Sequence, residues 1–190
     1  MKTPSRLGVT VVAAITAATL AGCSSASSTS SGPAASGTTA APAGSAAAAA
    51  FPVTLTAGNG AVTIKNRPVR IVSLSATLTE DLYAVGAGKQ VVAVDQDSNY
   101  PAGVPKTSLS GLTPNVEAIA RYAPGLVVAS QNSGGLVSGM TKLGIPVLIE
   151  PAVGTLDGAY AQIEQIGQAT GHAAQAAQVV AGMKQQIAAE

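Results

Sequence analysis

RIVSLSATLTEDLYAVGAGKQVVAV, residues Arg70 to Val94, decides the fold class. Arg70-Ile71-Val72-Ser73-Leu74 is a short apolar run of the length and make-up of a buried strand. Ser75 or Thr77 is placed to cap a helix after it, and Thr77-x-x-Glu80 has the spacing of a capping box. Leu78, Leu82 and Val85 give that helix one apolar face, and Gly86 and Gly88 end it. Val91-Val92-Ala93-Val94 is then a second buried strand.

The pattern repeats downstream. A polar exit, Asp95 to Pro101, leads to a short helix over Pro114–Arg121 with Thr113 or Asn115 as its cap. Leu126–Ala129 is a third strand. Ser130 to Gly135 is polar, followed by a helix carrying Leu136, Met140 and Leu143 and stopped by Gly144. Pro146–Ile149 is a fourth strand. Thr155 opens a helix with the stripe Leu156, Tyr160, Ile163 and Ile166, ended by Gly171. His172 to Glu190 is helical, with Ala176, Val179, Val180, Met183 and Ile187 on one side. Four apolar strands joined by helices predict an α/β fold, a Rossmann-like parallel sheet flanked by helices with right-handed crossovers. Upstream, Val53–Thr56 and Ala61–Ile64 alternate on either side of Ala57-Gly58-Asn59-Gly60, which predicts a β-hairpin before the sheet.

The N-terminal quarter reads differently. Lys2 and Arg6 precede Leu7–Leu20, LGVTVVAAITAATL, an uncharged run of about 21 Å as a helix, short of a bilayer core of about 30 Å. That is the h-region of a signal peptide over residues 1–22. Leu20-Ala21-Gly22-Cys23 follows, and Cys23 is the sole Cys of the chain. The order LAGC resembles the bacterial lipobox, in which the Cys is acylated and becomes the new N-terminus. Residues 23–50 hold, after Cys23, only Ala, Ser, Thr, Gly and Pro, and predict a flexible tether. Phe51 onward is the foldable part.

Composition excludes several functions. The formal charge is +1, with 10 basic and 9 acidic residues, which argues against nucleic acid as a partner. One Cys excludes a disulfide framework and a Cys-built zinc site. No P-loop, no GxGxxG after the first strand and no GxSxG elbow is present. The one imidazole, His172, has no obvious carboxylate to orient it, so it reads as a solvated or cap-associated His rather than a catalytic base. Asp95 and Asp97 share a loop, but two ligands are too few for a calcium cage. Ser133-Gly134-Gly135 at a helix start offers backbone N–H groups to an anion or is a plain capped turn. No enzyme, metal or resident cofactor is expected. Ligands of a parallel sheet bind outside the carboxyl ends of its strands, here Ser73–Thr77, Asp95–Tyr100, Ser130–Gly135 and Glu150–Gly154.

The order of these motifs resembles the bacterial ABC-importer solute-binding proteins that take cobalamin, ferric siderophores and haem. The residues that carry the resemblance are Ser73–Ser75, Thr79-Glu80, Gly86-Ala87-Gly88, Ser98-Asn99-Tyr100-Pro101, Asn115-Val116-Glu117-Ala118-Ile119, Pro124-Gly125-Leu126-Val127 and Leu143 to Val147. Gly125 stands where that family usually has Asp. The resemblance implies an N-terminal solute-binding lobe over 51–171. It implies that 172–190 is the start of the helix linking two lobes, with the second lobe absent. It places Ser75, Ala76, Thr77, Tyr100, Leu112, Thr113, Ser130 and Gln131 toward the ligand cleft and makes Glu117 a docking charge for the membrane permease. Only Tyr100 of that cleft set is aromatic, which favours a siderophore-like metal chelate over a flat corrinoid. The implied partners are an ABC permease with its ATPase and, through lipid on Cys23, the extracytoplasmic face of the cell membrane. The alternatives are a lipoprotein interaction scaffold without transport, and a non-functional truncated fragment.

Overall fold

The computed structural model describes residues 50–189. The signal peptide at 1–22, Cys23 and nearly all of the tether fall outside these described residues. Within them the element order is β1 (Val53–Ala57), β2 (Gly60–Ile64), β3 (Ile71–Leu74), α1 (Ala76–Ala84), β4 (Val91–Val94), α2 (Val116–Ala120), β5 (Leu126–Ala129), α3 (Leu136–Lys142), β6 (Val147–Ile149), α4 (Leu156–Thr170) and α5 (Ala173–Ala188). A 3-10 turn over Gly88–Gln90 leads into β4.

β3 to β6 form one parallel sheet in the order β4-β3-β5-β6. The chain leaves β3 toward β4 on one side, then returns to β5 and β6 on the other. The reversal makes the gap between the carboxyl ends of β3 and β5 the topological switch point, the place where open α/β sheets receive ligands. Alternate strand residues serve two cores. Ile71, Val94, Leu126, Val128 and Leu148 face the layer of α1, α4 and α5. Val72, Leu74, Ala93, Val127, Ala129, Val147 and Ile149 face the layer of α2 and α3. A sheet covered on both faces needs apolar residues at successive positions, so these strands read as apolar runs, interrupted only by the buried Ser73 of β3.

The hairpin β1–β2 is antiparallel with Ala57 opposite Gly60, so Gly58-Asn59 is a two-residue turn. That turn docks on β6. Gly58 N donates to Ile149 O at 2.7 Å. Asn59 Nδ2 donates to Val147 O at 3.0 Å, and Asn59 Oδ1 accepts from Ile149 N at 3.2 Å. β6 is an edge strand, and the hairpin turn occupies backbone groups that another chain could otherwise pair with.

Five local expectations are corrected. Ser75 takes the N-cap of α1, so Thr77 lies inside the helix and the Thr77–Glu80 capping box does not form. The helix expected over Pro114–Arg121 shortens to α2, capped by Asn115, whose Oδ1 accepts from Ala118 N at 2.9 Å. Leu143 is the C-cap of α3 and is 54% exposed; the positive-φ Gly144 turns the chain just after it, and Ile145 rather than Leu143 packs against the core. Leu156, at the first turn of α4, is exposed as well. On α5, Val180 is buried and Val179 and Met183 pack against the core, leaving Ile187 exposed. α5 lies close along α4 because Gly167 leaves room for it: a Cβ there would sit 2.3 Å from Ala176 Cβ.

Candidate functional site

The carboxyl edge of the sheet is built from loops held by buried hydroxyls. Thr79, fully buried in α1, lies 2.8 Å from Ser73 Oγ and 2.9 Å from Ser98 Oγ. Ser98 Oγ donates to the Asp95 carboxylate. The network ties β3, α1 and the loop after β4 into one unit, and it uses Asp95 internally. Burial raises the Asp95 pKa above the ordinary carboxylate value, the Ser98 bond opposes that rise, and Asp97 adds to it. Among the described residues no group of three His, Cys, Asp or Glu side chains is placed to hold a metal ion.

The segment after Pro105 runs beside the end of β4, with Gln96 N donating to Leu109 O at 2.8 Å. It then crosses the end of β3. A Cβ on Gly111 would lie 2.2 Å from Leu74 O, so only glycine permits this approach. Leu112 follows at 70% exposure, with Thr113 also exposed and bonded to Ser110 Oγ. Gly111 belongs to none of the motifs; its local signal is an isolated Gly between Ser110 and Leu112.

Three predicted cleft residues, Ser75, Thr77 and Ser130, line one cavity of about 350 Å³. They are joined there by Glu150, from the strand end Glu150–Gly154 marked in the sequence, and by Asp81, Gln162 and Met183, which the sequence does not single out as cleft residues. Ala76, Tyr100, Leu112, Thr113 and Gln131 do not line it. Ala76 is half-buried in α1, while Tyr100 and Gln131 are exposed on loops following β4 and β5. The carboxyl groups are unusual. Asp81 Oδ2 and Glu150 Oε1 are buried without hydrogen-bond partners. Burial, with the Glu80 charge adding, pushes Asp81 up to about 6. Burial also raises Glu150, the Gln162 amide holds it partly down, and the Asp81 charge raises it further.

Other candidates resolve otherwise. His172 precedes α5 without capping it by its side chain; Arg67 Nη2 lies 2.9 Å from its Nε2, and burial followed by the Arg67 charge lowers its pKa. The start of α3 has its Val137 N–H taken by Asn132 Oδ1 at 3.1 Å, which leaves less for an anion beside Ser133-Gly134-Gly135. Glu117 is exposed in the first turn of α2 while Ile119 is buried. A larger cavity of about 580 Å³ lies between the hairpin and the end of α3, lined by Lys65, Arg67, Thr141 and Pro146 among others. It sits where β5 and β6 begin, away from the switch point, and contains none of the predicted residues.

The family described as "Periplasmic binding protein" matches residues 71–189. This chain belongs to that family. The periplasmic binding proteins it matches include the uncharacterized ABC transporter substrate-binding lipoprotein YvrC of Bacillus subtilis, 37% identical over 143 residues, covering 72% of this chain and 46% of YvrC. A cobalamin-binding protein of Halobacterium salinarum is 34% identical over 146 residues, covering 74% of this chain and 40% of that protein. Among solved structures, an ABC-type Fe3+-hydroxamate transport protein from Saccharomonospora viridis matches with a TM-score of 0.60 and 27% identity, over 74% of this chain and 56% of that one. The chain thus spans less than half the length of these curated relatives. They are solute-binding proteins rather than enzymes, and the parallel α/β sheet with its preceding hairpin is the fold expected from the sequence.

Proposed function

We propose that the protein is the lipid-anchored, extracytoplasmic solute-binding component of an ABC importer. It takes a ferric siderophore or a cobalamin-like compound at the carboxyl edge of the parallel sheet and delivers it to a membrane permease powered by an ATPase. The observation that carries this reading is the position of the 350 Å³ cavity, with Ser75 from the end of β3 and Ser130 from the end of β5 on its rim, at the switch point of the sheet. The family match supports the solute-binding role, and the lipoprotein relative supports an anchor at Cys23. Tyr100 supplies an aromatic face on the same edge, and Leu112 an apolar one; Ala76, Thr77, Thr113 and Gln131 complete a largely polar surface that suits a metal chelate. Glu117, exposed on α2, is the docking charge for the permease.

Calorimetric titration with a ferric trihydroxamate and, separately, with cyanocobalamin tests the reading. Saturable binding of one of them is expected, weakened by Ser130→Tyr, which places a ring across the rim. Absence of binding for both ligands up to about 1 mM, the weak end of specific affinities, would remove the solute-binding assignment.

A further inference from the structure

The cavity beside the switch point carries two acceptors that no described residue satisfies. Glu150 is 7% exposed, directly follows β6, and its Oε1 has no partner. Asp81, one turn into α1, points a second orphan oxygen, Oδ2, from the same lining. Native interiors almost always pair such atoms, and each unpaired one is a cost that a ligand can relieve. The hydroxyls of Ser75, Thr77 and Ser130 add polar groups at the rim. The remaining walls are apolar, from Leu78, Val153, Ile163 and Met183. Gln162 donates to Pro151 O at 3.1 Å, and its amide also holds Glu150 partly down, but Glu150 Oε1 stays without a partner.

That lining is selective. Two carboxyl groups call for a donor-only, positively charged group, and apolar walls call for a hydrocarbon stem next to it. A metal ion fits poorly, since the described residues offer no third carboxylate, His or Cys. Lys184, the basic residue of α5, lies over the Tyr160 ring at 4.9 Å and does not line the cavity. We propose that the Asp81–Glu150 cavity is a binding subsite for an organic ammonium group, either an amine arm of the transported solute or a free small alkylamine. For the amine arm, the inference rests on the solute-binding reading; for the free amine it stands by itself. The raised carboxyl pKa values agree with it: burial disfavours both carboxylates, Asp81 at about 6 keeps part of its proton at pH 6, and an ammonium displaces that proton to solvent.

Calorimetry on the full chain at pH 6 compares n-butylammonium with n-butanol, which has the same stem and no charge. It also compares two ferric trihydroxamates that differ only in a free or acetylated terminal amine. Butylammonium is expected to bind at least about tenfold more tightly than butanol, with proton release seen as a dependence of the heat on buffer ionisation. Asp81→Asn and Glu150→Gln should each remove that preference. A preference for the free-amine chelate that disappears in Glu150→Gln assigns the site to the solute; equal chelate affinities together with butylammonium selectivity assign it to free amines. Equal binding of butylammonium and butanol, or variants that keep the preference, overturns the subsite even if both chelates bind. Carboxylate-dependent butylammonium binding with neither chelate bound keeps the subsite and overturns the solute reading instead.

Discussion

Asp81 shows how a single side chain sets an acid–base property of the whole fold. Its native pKa of about 6 lies above the ordinary 3.8, because burial disfavours the carboxylate. The folded state therefore binds more protons than the unfolded state between those values, and its contribution to stability is full below pH 3.8 and is lost as pH rises through 6. Asp81→Asn should remove this segment of the pH profile. At pH 7.5 the variant should be more stable by about 1–2 kcal/mol, a figure reduced for the water that reaches the partly exposed side chain. Urea denaturation at pH 4, 6 and 7.5 reads this out; a variant less stable than the parent at pH 7.5 would contradict it. His172 acts with the opposite sign. Its pKa is lowered, so the unfolded state binds the extra proton and stability falls as pH drops below 6.5.

At the scale of elements, the hairpin and α2 carry the clearest consequences. The Gly58-Asn59 turn is held to β6 by a main-chain bond and both ends of one amide side chain. Asn59→Ala leaves Val147 O and Ile149 N without those partners and should cost about 1–3 kcal/mol. Hydrogen exchange should show the Ile149 amide losing protection before the interior strands β3 and β5; unchanged protection there would mean the turn does not hold the edge. α2 is a different case, since Glu117 is exposed and touches a solvated face. Glu117→Gln should alter stability by well under about 1 kcal/mol and leave solute binding unchanged. If Glu117 docks on the permease, the same change should weaken association with permease in nanodiscs and flatten its salt dependence. Equal permease affinity of variant and parent would remove that role.

For the whole molecule, attachment and affinity are the properties at stake. Cys23→Ala should abolish acylation and shift the protein from the membrane to the soluble fraction, or leave it uncleaved, because stable anchoring requires more than one acyl chain and Cys23 is the sole thiol. Intact mass and membrane partitioning together check this, and no change in either would argue against the lipid anchor. The 190-residue chain covers less than half the length of its curated relatives. A ligand held on one face forgoes contacts that a site closed from both sides supplies, so residues 24–190 expressed by themselves should bind the solute orders of magnitude more weakly than a protein that encloses it from both sides, each 1.4 kcal/mol being about tenfold; submicromolar binding by calorimetry would contradict this.

The local sequence determined the elements and their class. Val91–Val94 and Leu126–Ala129 are apolar without a break, and Ile71–Leu74 apart from Ser73, because both faces of their sheet are covered, and Gly58-Asn59 and Gly171 mark turns by their own backbone chemistry. Those signals act over a few residues and survive any tertiary arrangement. The strand order β4-β3-β5-β6, and with it the switch point between Ser75 and Ser130, depends on pairing between segments far apart in the chain, which no local pattern records. For the same reason nothing local sets Asp81 apart on its helix, and Glu150 is only one polar residue of a strand end, until folding brings them to one cavity. Only the tertiary structure removes their water, and it is that desolvation, rather than the residue types, that gives the pair its chemistry.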